Sequence, residues 1–128
     1  MAMQLSETYE RTLIILIALH SIIVGVMLLF FAEWAVDFAG WSGADPVFFI
    51  WQAGAFHFVL AAGYLVEYSR TRTISLLLIA KTTAFVFLIG GSILADTPWS
   101  VWFSGLADGA MALTAFLVHR AVKSDVTN

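Results

Sequence analysis

Four ionisable side chains, His20, His57, Lys81 and Asp108, fall inside long apolar stretches of the chain. Charge in a hydrocarbon environment is costly, so such residues point by default to ion pairs, ligands or proton carriers. An isolated ammonium or carboxylate there tends to lose its charge, whereas pairing relieves both desolvation costs at once. We therefore expect a Lys81 to Asp108 ion pair, with His57 hydrogen-bonded near it. One reading makes the pair a clasp that fixes helix register. The other makes the His57, Lys81 and Asp108 cluster a binding site for an anionic headgroup, a quinone or a transported ion, or a proton relay. His20 and His57 could also ligate a b-type haem through two imidazoles, or either could hold a chlorin pigment.

Other chemistries find no support. Cysteine is absent, which excludes disulfides, thiolate metal sites and a cysteine nucleophile. The chain has no G-x-S-x-G, no H-E-x-x-H and no glycine-rich phosphate loop, so no catalytic residue and no metal site are assigned, and an enzyme is not expected. A net charge of -3 argues against nucleic acid.

The elements that must position the four residues follow from composition. At 61% hydrophobic and 12% charged residues, the chain has an apolar excess that must face lipid. Four runs match the roughly 20 residues that cross a bilayer: Thr12 to Ala32, Val47 to Tyr68, Thr73 to Leu94 and Trp99 to His119. The first exceeds a signal-peptide core and reads as a retained helix. The expected fold is all-α: one domain over residues 1–128, an integral membrane four-helix bundle with antiparallel up-down topology. Residues 33–46 are long enough for a short amphipathic segment in the interface, with Trp34, Phe38 and Trp41 toward lipid. The links 69–72 and 95–98 are tight turns that make sequential helices antiparallel neighbours.

Arg11, Arg70, Arg72, Arg120 and Lys123 share one side with both termini, which places the termini in the cytoplasm. The opposite side holds Glu33, Asp37, Asp45 and Asp96 and all five tryptophans. Tyr9, Tyr64 and Tyr68 are assigned to the cytoplasmic boundary. Measured at about 1.5 Å per residue from the basic end of each helix, His20 and Lys81 lie about 14 Å deep, Asp108 about 18 Å and His57 about 20 Å, one shared layer.

Helical spacing aligns Asp108 with Gly105, Ala112 and Ala115, His57 with Gly54, Ala61 and Tyr64, and Lys81 with Ala84, Leu88 and Gly91. These small residues let helices approach closely, and Gly105 and Gly109 form a G-x-x-x-G. Phe48, Phe56, Phe58, Phe85 and Phe87 are left mostly for lipid or for filling gaps. His119 is expected to be solvated or headgroup-bound beside Arg120, and Glu67 to pair at the surface with Arg70 and Arg72.

The stretch Trp51-Gln52-Ala53-Gly54, then Leu60-Ala61-Ala62-Gly63-Tyr64, with Lys81 and Asp108 on the following helices, resembles the small four-helix membrane proteins of the DoxX-like type. That group includes subunits linked to quinone-dependent sulfur oxidation. The resemblance implies the four-helix fold and association with a larger redox assembly, and the expected location is a cell membrane, the bacterial inner membrane. It assigns no catalytic residue. Because the bundle has almost no extramembrane mass, the leading expectation is a structural or accessory subunit packed against other membrane proteins or copies of itself. A small-solute or proton carrier and a quinone- or haem-binding redox subunit are the other two readings.

Overall fold

The computed structural model describes residues 2–42 and 46–127, with side chains described over 7–42 and 46–124. The described residues form five helices and no strand: α1 Ala2–Phe30, α2 Ala32–Phe38, α3 Val47–Thr71, α4 Ser75–Leu94 and α5 Trp99–Thr127. Four of them, over Glu7–Phe30, Val47–Thr71, Ser75–Leu94 and Trp99–Ser124, are long and apolar enough to cross a membrane. The outer spans continue past the apolar runs, since a helix that satisfies its own backbone need not stop where hydropathy falls. Asp45, expected beside the other acidic residues, lies outside the described residues.

The expected interfacial segment is the seven-residue α2. It closes on Gly40, whose φ of +88° is costly for residues with a Cβ. The Gly40 amide donates to the Asp37 carbonyl (3.0 Å) and the Trp41 amide to the Val36 carbonyl (3.1 Å), so the last carbonyls of the helix find donors. Ser100 Oγ then donates to the Ala39 carbonyl at 2.7 Å and ties α2 to the start of α5.

Among the described residues α1 packs on both α3 and α5 and α4 packs on α5, while α3 with α4 is the slightest of these contacts between spans. The result is an up-down ring made of two close pairs, α1 with α3 and α4 with α5. Glycine sets both close approaches. A Cβ on Gly25 would lie 3.0 Å from the Gly54 carbonyl oxygen, and one on Gly54 would lie 3.0 Å from that of Gly25. In the second pair the G-x-x-x-G faces α4: Gly105 abuts Leu88 and Ile89, and Gly109 abuts the Phe85 ring. Phe58 and Phe85 fill gaps beside glycines, while Phe48, Phe56 and Phe87 are exposed.

The core occupies one half of the bundle. Ile14, Ile17, Tyr64, Tyr68, Ile74, Leu77 and Ala115, from all four spans, form a buried cluster toward the end that holds the α3–α4 turn. Tyr64 is only 2% exposed and Tyr68 6%, so both tyrosines pack into this core. Glu67 departs from expectation. Its carboxylate makes no ion pair with Arg70 or Arg72 among the described residues; it accepts from Thr73 Oγ1 (2.9 Å) and from the Ser75 and Leu76 amides (3.0 and 2.9 Å). Helix α4 begins after Ile74, which has no capping side chain, so Glu67 supplies the cap from across the turn.

These contacts give unequal glycines. Gly54→Val forces a branched side chain against the α1 backbone and is expected to destabilise the bundle by about 1–3 kcal/mol, read as a lower thermal midpoint in mild detergent. Gly90→Val, where a Cβ meets nothing within 4 Å, is expected to leave that midpoint within a degree or two of wild type.

Candidate functional site

The expected ion pair forms. Lys81 Nζ donates to Asp108 Oδ1 at 2.6 Å, with the two side chains 5% and 14% exposed. The helices place the two groups as their spacing required: Gly105, Ala112 and Ala115 are buried with Asp108 on the α5 face, and Leu77 with Lys81 on α4. Close contact at Gly105 and Gly109 holds α5 near enough for the lysine to reach across.

Beside the pair lies a cavity of about 560 Å³, in the range of small-molecule sites. Asp108, His20 and His57 line it, together with Ser100 and Ser104; Lys81 does not. The carboxylate therefore faces the cavity while the ammonium is held behind it. The remaining walls are apolar: Ile23, Val24, Met27 and Leu28 from α1, Leu88 from α4, Phe103 and Ala107 from α5. Helix α2 covers one end with Trp34 and Phe38, stacked at 5.2 Å between ring centroids, and Trp99 meets Phe38 edge-on at 5.9 Å.

His57 corrects an expectation. It sits near the pair, yet its Nδ1 is buried and has no hydrogen-bond partner in the protein. Ser21 Oγ and Tyr64 Oη are likewise buried and unpartnered. A buried polar atom left without a partner costs about 1–3 kcal/mol.

A second polar layer was not legible. Glu10, 5% exposed, accepts from Tyr68 Oη at 2.9 Å through Oε2, and its Oε1 meets His119 Nδ1. His119 is therefore paired, not solvated as expected beside Arg120, and the cluster ties α1, α3 and α5 together at the basic end. Glu10 lies outside the apolar run, which hid it. A register signal was present nonetheless: Glu10 and Ser21, His57 and Tyr68, and Asp108 and His119 are each eleven residues apart. Eleven residues make three helical turns and about 16 Å of rise, so three helices contribute to both layers from one face.

Among the described residues no group of three or more histidine, aspartate or glutamate side chains is arranged to hold a metal ion. No known protein family, curated protein or solved structure matches the chain, so the site is interpreted through its own chemistry.

The pair should behave as a buried one. Lys81→Met leaves Asp108 without its counter-charge and is expected to cost about 3 kcal/mol, whereas the double variant Lys81→Met/Asp108→Leu should recover most of that loss. Denaturant unfolding of the three proteins in the same detergent measures the coupling, and additive losses would contradict it.

Proposed function

We propose that this protein is a small integral membrane subunit that binds a lipid-soluble molecule of the quinone class in the cavity over Asp108, and that it works packed against other membrane proteins. The observation that carries the binding reading is that Asp108, His20 and His57 line a ligand-sized cavity whose other walls are largely apolar. A quinone needs that combination. Its carbonyl oxygens accept from imidazole N–H groups, its reduced hydroxyls donate to a carboxylate, and its ring and tail prefer apolar and aromatic walls. The resemblance to DoxX-like proteins, with their quinone-linked members, points the same way.

A second observation supports a packed subunit. The α4 surface at Gly90 and Gly91 is open, since a Cβ on either would meet nothing within 4 Å, although small residues in membrane helices usually serve close helix contacts. A carrier fits less well, because the buried cluster of Ile14, Ile17, Tyr64 and Leu77 fills the bundle on the other side of the pair. The basic end is assigned to the cytoplasm by its arginines. The native chain lacks cysteine, so a single cysteine at Ser69 should react with an impermeant maleimide only in inside-out vesicles.

Trp34 and Trp99 line the cavity and report on binding. A decyl-substituted benzoquinone should quench tryptophan fluorescence saturably in the purified protein, and His57→Leu should weaken that binding about tenfold, the loss of one or two hydrogen bonds. Linear, unsaturable quenching that is unchanged in His57→Leu would refute the reading. A Soret band in the purified protein would replace quinone with haem held by His20 and His57.

A further inference from the structure

A second cavity, of about 410 Å³, lies on the outer face between α1 and α3 at the basic end, away from the proposed quinone site. Arg11 and Arg72 stand at it, and Ile15, Leu65 and Val66 form its apolar side, with Tyr68 at its inner wall. Both arginines are exposed, and among the described residues neither pairs with a carboxylate. Glu10 is engaged with Tyr68 and His119 and Glu67 with the start of α4, and Glu7, exposed one turn before Arg11, makes no ion pair with it. The groove thus presents two guanidinium groups that form no ion pair among the described residues, together with exposed aliphatic side chains.

Arg72 carries the case further. It ends α3 in the left-handed region, at φ +53° and ψ 32°, where glycine would be the inexpensive choice. An arginine at this position keeps a charge that a glycine would remove. Its guanidinium lies over the Tyr68 ring, 5.2 Å from the centroid, and this contact seats the charge at the groove.

We propose that this groove is a binding site for an anionic phospholipid, its phosphodiester held between Arg11 and Arg72 and one acyl chain lying along Ile15, Leu65 and Val66. Planar guanidinium groups match phosphate oxygens by forked hydrogen bonding. A membrane span puts the aliphatic part of the groove where acyl chains run, so charge and depth select a lipid over a soluble anion.

The test uses the full chain in a zwitterionic detergent. Titration with dioleoyl phosphatidylglycerol should raise the thermal midpoint saturably, native mass spectrometry should retain one such lipid, and dioleoyl phosphatidylcholine should do neither. Arg11→Gln/Arg72→Gln should weaken phosphatidylglycerol binding about tenfold or more. Arg70→Gln/Arg120→Gln removes the same charge from residues outside the groove and should leave binding within about twofold of wild type. If the first variant fails to fold, Arg11→Lys/Arg72→Lys keeps the charge without the fork and should bind measurably more weakly than wild type. Equal stabilisation by phosphatidylcholine, equal loss in both glutamine variants, or the same midpoint shift with millimolar inorganic phosphate would overturn the proposal.

Discussion

A lysine carried into the middle of a membrane span has to find its counter-charge within the protein, because neither water nor lipid tails can supply it. Lys81 finds Asp108 on the next span, and much of the architecture follows from that requirement. The two helices must be neighbours and must approach closely, which calls for small residues on one of the facing surfaces. Gly105 and Gly109, set against Leu88, Ile89 and Phe85, meet these conditions. The α1–α3 pair solves a similar approach with Gly25 and Gly54, and α1 then packs against α5 to join the two pairs.

The two halves of the bundle divide the work. Toward the basic end, isoleucine, leucine and tyrosine from four helices fill the interior, and the Glu10, Tyr68 and His119 cluster fastens three of them together. Toward the tryptophan end the interior opens into the cavity over Asp108, roofed in part by α2. Under the proposed binding role, this division would have the packed half hold the geometry and the open half take the ligand. It also explains why α2 is fastened by both a glycine-closed C-terminus and the Ser100 hydrogen bond, since a seven-residue helix has little stability of its own.

Much of this was legible in the residues. Apolar run length gave the four spans, and opposite charges at matched depth gave the Lys81 to Asp108 pair. The stripes of small residues marked the buried faces of α3 and α5, whereas Gly91 on the α4 stripe lies open. What escaped lies where hydropathy ends. Glu10 sits just beyond its apolar run and His119 at the last residue of its own, so both read as surface groups, although the longer helices bring them together. Glu67 beside two arginines looked like a surface ion pair, because the demand of the next helix for a cap appears only once that helix is placed. Tyr64 and Tyr68 lie on the same face as Ala61 and pack into the core with it, a burial that tyrosine's ring chemistry does not announce. The cavity itself depends on how far apart the helices stand at one end, a quantity that residue spacing along a chain does not encode.

The eleven-residue interval shared by α1, α3 and α5 also constrains how this chain can change over time. Inserting or deleting one residue between the two polar layers turns everything on one side of it by about 100° relative to the other, which would swing a buried acid or imidazole out to lipid. Segments 10–21, 57–68 and 108–119 are therefore locked in length even where individual side chains can vary. The link that follows α2 carries no such lock. Variation in length among homologous chains should accumulate there, where a change leaves the spacing of the two layers untouched.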